Sequence, residues 1–263
     1  MSQSFSVVRD GHLTIVTLER PEARNALDAK ASHELGRVFD EFESDPDQWV
    51  AILTGAGDSA FCTGMDLREY SSSDFVSEGG MPDLPPSGFC GMTSRYNMVK
   101  PVIAAVNGVA MGGGFETVLA CDLIVADRRA QFALSEPRVG LVGWGGGIQR
   151  LARQIGLKPA MGMLLTGRRV SAAEAHQVGL VNEVTEDGTC LEAAKAWAAQ
   201  ILECAPLSVR LTKEAAMKGL TYRSVEEAQN AHYDGYDVLL HSADTKEGLK
   251  AFMEKRKPQW NGR

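Results

Sequence analysis

An apolar run, Val102 to Val106, leads in this chain into a stretch with three consecutive glycines and a carboxylate: Asn107-Gly108-Val109-Ala110-Met111-Gly112-Gly113-Gly114-Phe115-Glu116. Glycine lets backbone approach another group closely and takes positive φ at little cost. Phe115, Val118 and Leu119 follow with helical spacing, so the glycines stand at a helix start. Unpaired N–H groups there favour negative charge. Ser135-Glu136-Pro137 supplies a second acid twenty residues after Glu116. A strand, a glycine turn, a helix start and two acids are the parts of an oxyanion hole with acid/base groups beside it. The chain reads as an enzyme.

Around this centre, strands alternate with helices. Phe5-Ser6-Val7-Val8, a turn at Asp10-Gly11 and Leu13 to Leu18 read as a hairpin. Asp28 is a good N-cap for a helix whose apolar residues Ala31, Leu35, Val38 and Phe42 share one face. Trp49 to Leu53, Val102 to Val106, Leu123 to Ala126 and Gln131 to Leu134 read as strands, which predicts an α/β layered core. Ser71 to Met92, rich in Ser, Gly and Pro, reads as a long loop. Beyond about residue 150 the pattern is helical. Ser171-Ala172-Ala173-Glu174 is a capping box, and helices are predicted over 190–204, 208–218, 225–240 and 245–255, the last capped by Asp244. The shift near residue 200 divides the chain into a core (1–200) and a helical C-terminal region (201–263) suited to packing between subunits.

Composition excludes several classes. A net charge of −7 argues against nucleic acid as the main partner. No apolar stretch is long enough to span a bilayer, and Met1 to Phe5 carries neither the basic region nor the apolar run of a secretory signal. The five cysteines are odd in number and lack a C-x-x-C pair, so neither a zinc site nor a disulfide framework is expected. Reduced thiols fit a cytoplasmic protein. The dinucleotide fingerprint, P-loop, H-E-x-x-H and G-x-S-x-G motifs are all missing.

A second glycine turn, Ala60-Phe61-Cys62-Thr63-Gly64-Met65-Asp66-Leu67, follows the Trp49–Leu53 strand and precedes a predicted short helix over 66–70. Its Met65 amide and that of Gly113 could converge as two donors, the arrangement a thioester enolate requires. With these pieces in order, the chain resembles the crotonase superfamily, the enoyl-CoA hydratase/isomerase group. The likeness runs from about residue 5 to about residue 255. It is carried further by Arg20-Pro21-Glu22-Ala23-Arg24-Asn25-Ala26-Leu27, Lys100-Pro101, Cys121-Asp122, Gly145-Gly146-Gly147-Ile148-Gln149-Arg150-Leu151 and Leu165-Thr166-Gly167-Arg168.

The resemblance implies a spiral of stacked ββα units followed by a helical oligomerisation region, assembled as trimers or dimers of trimers. It implies Met65 and Gly113 as the oxyanion hole, with Glu116 and Glu136 as catalytic carboxylates. Arg24, Asp66, Leu67 and Arg68 fall where the family wraps coenzyme A, and Lys257 is a further candidate phosphate contact. No metal and no redox cofactor are implied, because coenzyme A arrives as part of the acyl-CoA substrate.

The implied reaction is syn addition of water to a 2-enoyl-CoA, or the reverse. Glu116 would activate water and Glu136 would protonate Cα, unless one Glu merely caps a helix or pairs with Arg. Relatives that only shift a double bond generally keep the later carboxylate alone. The rivals are a carnitinyl-CoA-type dehydratase, a Δ3,Δ2-enoyl-CoA isomerase and, more remotely, a non-catalytic scaffold or RNA-binding relative. The chain departs from the family at Gly143-Trp144-Gly145, where hydratases usually show Pro-Gly. Trp144 either stacks on or shortens the acyl pocket, or turns away to pack on a neighbouring helix or subunit.

Overall fold

A computed structural model describes residues 4–66 and 83–263. Strands β1 (Phe5–Asp10) and β2 (Leu13–Leu18) form the expected antiparallel hairpin. Helix α1 (Ala29–Ser44) starts at Asp28, whose carboxylate accepts the Ala31 N–H at 2.6 Å. The chain then makes repeated short steps between two sheets. Strands β3 (Val50–Gly55) and β4 (Ala60–Cys62), β5 (Val102–Val106) and β6 (Val109–Met111), and β7 (Leu123–Asp127) and β8 (Gln131–Ala133) are successive pairs. The first member of each pair joins one sheet and the second joins the other.

The larger sheet has the order β1-β2-β3-β5-β7-β10, parallel from β2 onward, with β10 spanning Glu183–Thr185. The smaller has the order β4-β6-β8-β9, with β9 (Val170–Ser171) antiparallel to β8. Each pair is one arc of the spiral that the family resemblance implies.

Strands β3 and β5 are buried along their whole length, as expected where both faces of a parallel sheet are covered. Leu53, Ala104, Val106 and Ala126 point into the spiral. Ile52, Ile103, Ala105 and Val125 face out beneath α6 (Cys190–Leu202), which packs on them through Cys190, Ala194 and Ala198. Two buried asparagines fasten the β3–β4 step. Asn25 donates to the Ala56 and Ala60 carbonyls at 3.0 and 2.8 Å, and Asn107 donates to Gly57 O at 2.8 Å.

Helix α2 (Gly113–Ala120) follows β6, and α3 (Gly147–Gln154), α4 (Leu157–Thr166) and α5 (Ala172–Gln177) precede α6. Ser171 caps α5 by accepting the Glu174 N–H at 3.2 Å. The Glu174 carboxylate does not close the capping box, because it pairs with Arg168 instead. The remaining helices among the described residues are α7 (Pro206–Gly219), α8 (Val225–Gln229), α9 (Gly235–His241) and α10 (Ala243–Glu254).

Three further expectations are corrected. The helix predicted over 225–240 is two helices, broken at 230–234, where Asn230 and Asp234 are poor helix formers and Tyr233 donates its hydroxyl to Ala228 O. The cap of α10 is Ser242, not Asp244; the buried Asp244 carboxylate accepts the Asn261 and Gly262 N–H groups at 2.8 and 2.9 Å. The predicted 71–92 loop does not stay loop-like to its end. Phe89–Gly91 forms a buried 3-10 turn against α1, with the Cys90 N–H on Ser32 Oγ at 3.2 Å. Most of that segment, and most of the helix predicted over 66–70, lies outside the described residues. All five cysteines are free thiols, and no helix among the described residues is long and apolar enough to cross a membrane.

Candidate active site

Two glycine turns meet at the N-terminus of α2. Gly64, at φ +91°, lies so close to Gly113 that a Cβ on Gly64 would stand 3.1 Å from the Gly113 nitrogen. Leu27 fixes the neighbouring Met65: the Leu27 N–H donates to Gly64 O and the Asp66 N–H to Leu27 O, at 3.0 and 2.9 Å. That bridge leaves the Met65 N–H on the opposite edge of its segment. Among the described residues neither the Met65 nor the Gly113 N–H has an acceptor. The Phe89 ring packs against Gly113, 2.9 Å from where a Cβ would stand.

Glu116 projects from the first turn of α2 and is buried. The loop 143–147 folds over its carboxylate. Oε1 accepts the Gly147 N–H at 3.0 Å, and Gly147 is the first residue of α3, so Glu116 does cap a helix. This cap engages Oε1, and the Gly145 amide also acts on the carboxyl. A side chain on Gly145 would collide with Oε2. Glu136 reaches the same place from a 3-10 turn, Glu136–Val139, which Arg138 fastens to the end of α4 through the Thr166 and Gly167 carbonyls, each at 2.9 Å. A Cβ on Gly143 would lie 3.2 Å from Glu116 Oε1 and 3.3 Å from Glu136 Oε1, so both carboxylates face one point in the loop. A Cβ on Gly112, one residue before Gly113, would stand 3.3 Å from Glu136 Oε1. Glu136 Oε2 is buried with no hydrogen-bond partner among the described residues.

Both carboxyls are pushed above the usual glutamate range. Burial is the larger cause for Glu116, opposed by the Gly147 N–H; the Glu136 charge raises it further, and Gly145 and Arg150 draw it down. Burial likewise raises Glu136, with only its own backbone N–H opposing. Two such groups favour holding a proton between them over ionising together.

The candidate coenzyme A contacts are spread more widely. Arg24 is exposed in a left-handed conformation (φ 52°), and its carbonyl accepts the Thr63 N–H at 3.2 Å, beside the Met65 segment. Asp66 pairs with Arg20 at 3.1 Å. Leu67 and Arg68 lie outside the described residues. Lys257 sits beside Glu203 at 3.7 Å, at the end of α6, and pairs with none of the site residues among the described residues. Trp144 is 73% exposed and stacks on no aromatic ring among the described residues, although its neighbours Gly143 and Gly145 both meet carboxylates. Its exposure leaves it largely clear of the described helices of its own chain. No group of His, Cys, Asp and Glu among the described residues is gathered to hold a metal ion.

The profile of the enoyl-CoA hydratase/isomerase family matches residues 9–263. The chain belongs to this family. A carnitinyl-CoA dehydratase from Proteus mirabilis is 42% identical and one from Escherichia coli K12 is 43% identical, each alignment covering 100% of both chains. Among solved structures, an enoyl-CoA hydratase from Mycobacterium marinum aligns with TM-score 0.89 at 39% identity over 99% of each chain. A carnitinyl-CoA hydratase from Mycobacterium avium aligns with TM-score 0.77 at 39% identity over 100% of each. The fold is the family's crotonase spiral.

Sequence reasoning missed several contributors to this site. Arg20 and Arg150 stand in segments that carry the family likeness, but their partners, Asp66 and the Gly145 carbonyl, become neighbours only on folding. Phe89 was hidden in a segment that reads as loop.

Proposed function

We propose that the protein adds water across the double bond of a 2-enoyl-CoA thioester, or removes it in the reverse direction. The convergence of Glu116 and Glu136 on Gly143, beside two amides without acceptors, carries this reading. The Met65 and Gly113 N–H groups would hold the thioester oxygen as charge builds there. Glu116 would accept a proton from water as its oxygen bonds to Cβ, while Glu136, whose carboxyl burial pushes up, would deliver a proton to Cα. Both transfers occur on one face of the alkene, which makes the addition syn. Glu116 capping α3 is compatible with this role, because the cap itself engages only Oε1.

Coenzyme A belongs to the substrate in this reading, with Arg24, Asp66, Leu67, Arg68 and Lys257 along its path and Trp144 toward the acyl end. Assembly as a trimer or dimer of trimers is part of the same proposal. Exposed apolar residues on the C-terminal helices, among them Val225 and Phe252, offer surface for it.

The identity to carnitinyl-CoA dehydratases favours a second reading, in which the acyl group carries a quaternary ammonium. Crotonyl-CoA, a 3-enoyl-CoA and carnitinyl-CoA, each incubated with the protein and analysed by mass and NMR, separate these. Water uptake by crotonyl-CoA supports the general hydratase. Water loss confined to carnitinyl-CoA supports the second reading, and a shifted double bond without water exchange overturns both.

A further inference from the structure

Arg150, on α3, binds no carboxylate among the described residues although it is more than half withdrawn from solvent. Its Nη1 donates to the Gly145 carbonyl at 3.0 Å and its Nη2 to the Thr93 carbonyl at 2.9 Å. The guanidinium carbon stands 5.5 Å from the centre of the Tyr96 ring. Gly146, at φ +85°, lies against it: a Cβ there would stand 2.5 Å from Nη1. The loop is thus gripped on one side by Arg150 and rests on Glu116 on the other, with glycines at 145, 146 and 147 because side chains there would strike one or the other.

We propose that Arg150 is a positioning residue, which holds the Gly143–Gly147 loop so that the Gly147 N–H and the open face of the Glu116 carboxylate keep their places. A planar fork gripping two carbonyls from different segments does this where a point charge could not. The same cation also acts on Glu116 through space. The charged and polar groups around that carboxyl are Glu136 from its 3-10 turn, Arg150 from α3, and the Gly145 and Gly147 amides. Tyr96 and Cys121 lie next to the guanidinium and act on Arg150 itself. Among the described residues Arg150 is the one cation of this set, and it draws the Glu116 carboxyl down while burial and Glu136 push it up.

Arg150→Met and Arg150→Lys test this. The kinetic part rests on the proposed hydration, but a 13C carboxyl titration of Glu116, assigned with Glu116→Gln, requires no turnover. In Arg150→Met the Glu116 midpoint is expected to rise, the effect of losing a nearby opposite charge. Its kcat is expected to fall about a hundredfold, the cost of an ångström-scale misplacement, with KM little changed. Arg150→Lys should restore the midpoint but not the grip, leaving kcat about tenfold low. A Glu116 midpoint unmoved in folded Arg150→Met, or a loss lying wholly in KM, overturns the proposal. If Arg150→Met does not fold, Arg150→Lys decides: wild-type kcat overturns the proposal, and reduced kcat with a wild-type midpoint supports it. If the wild-type protein hydrates no enoyl-CoA, the proposed function fails, while the shift in the Glu116 midpoint still decides the role of Arg150.

Discussion

At the scale of single residues, the site is shaped by what glycine leaves out. A methyl group at 145 would strike Glu116 Oε2 and push the carboxylate from its place. Gly145→Ala is therefore expected to lower kcat about a hundredfold, as misplaced catalytic groups do, while thermal unfolding shows the fold intact. Wild-type kcat in that variant would show that the loop yields and Glu116 does not depend on it. Glu136 shows the cost of keeping an acid in such a place. Its carboxyl is raised by burial, and one oxygen has no partner. A group whose folded pKa lies above its unfolded value favours the native state below the unfolded pKa, and that contribution is lost as pH rises through the folded pKa. Glu136→Gln, which cannot ionise, should therefore melt above the wild type at pH 8, and the difference should shrink as pH is lowered toward 4. A difference that grows on acidification would contradict the assigned burial.

At the scale of elements, local chemistry made much of the fold readable. The apolar runs of β3, β5 and β7, the Asp28 cap of α1 and the Ser171 cap of α5 all depend on near neighbours, and all are present. What was not legible depends on distant partners. Asp244 reads as a cap, yet folding carries the amides of 261 and 262 to it and Ser242 takes the helix. Phe89 reads as loop until α1 and Gly113 close on it. Gly113, Glu116 and Glu136 were recognisable as chemistry, whereas the grip of Arg150 on Gly145 was not. Asp127, at the end of β7, illustrates the same limit. Its buried carboxylate accepts the N–H groups of Gly188, Thr189 and Cys190 at the start of α6, at 2.7, 3.2 and 2.9 Å. Burial raises its pKa, but these amides and Arg129 outweigh it, and the carboxyl lies below its ordinary value. A depressed pKa contributes stability above the unfolded value and loses it as pH falls through the folded one. Asp127→Asn should therefore cost about 1–3 kcal/mol at pH 7, as for a broken buried hydrogen-bond set, with the gap closing in acid. A constant gap from pH 7 down to 3 would assign the loss to packing alone.

At the scale of the whole molecule, the spiral has one consequence that local reading does not reach. Stacking β3–β4 on β5–β6 brings the Met65 turn to the start of α2, and stacking β5–β6 on β7–β8 brings Glu136 to Glu116. The amides and the acids thus come from three successive arcs, and in the proposed reaction all would address one thioester. Two acids aimed at one point would, in the proposed reaction, act on one face of the substrate. Hydration of crotonyl-CoA in D2O, with the product followed by proton NMR, tests that directly. The predicted product carries one deuterium at Cα, syn to the new hydroxyl, as a single diastereomer. Anti addition, or an even mixture of diastereomers, would show that Glu116 and Glu136 do not work together on one side of the double bond.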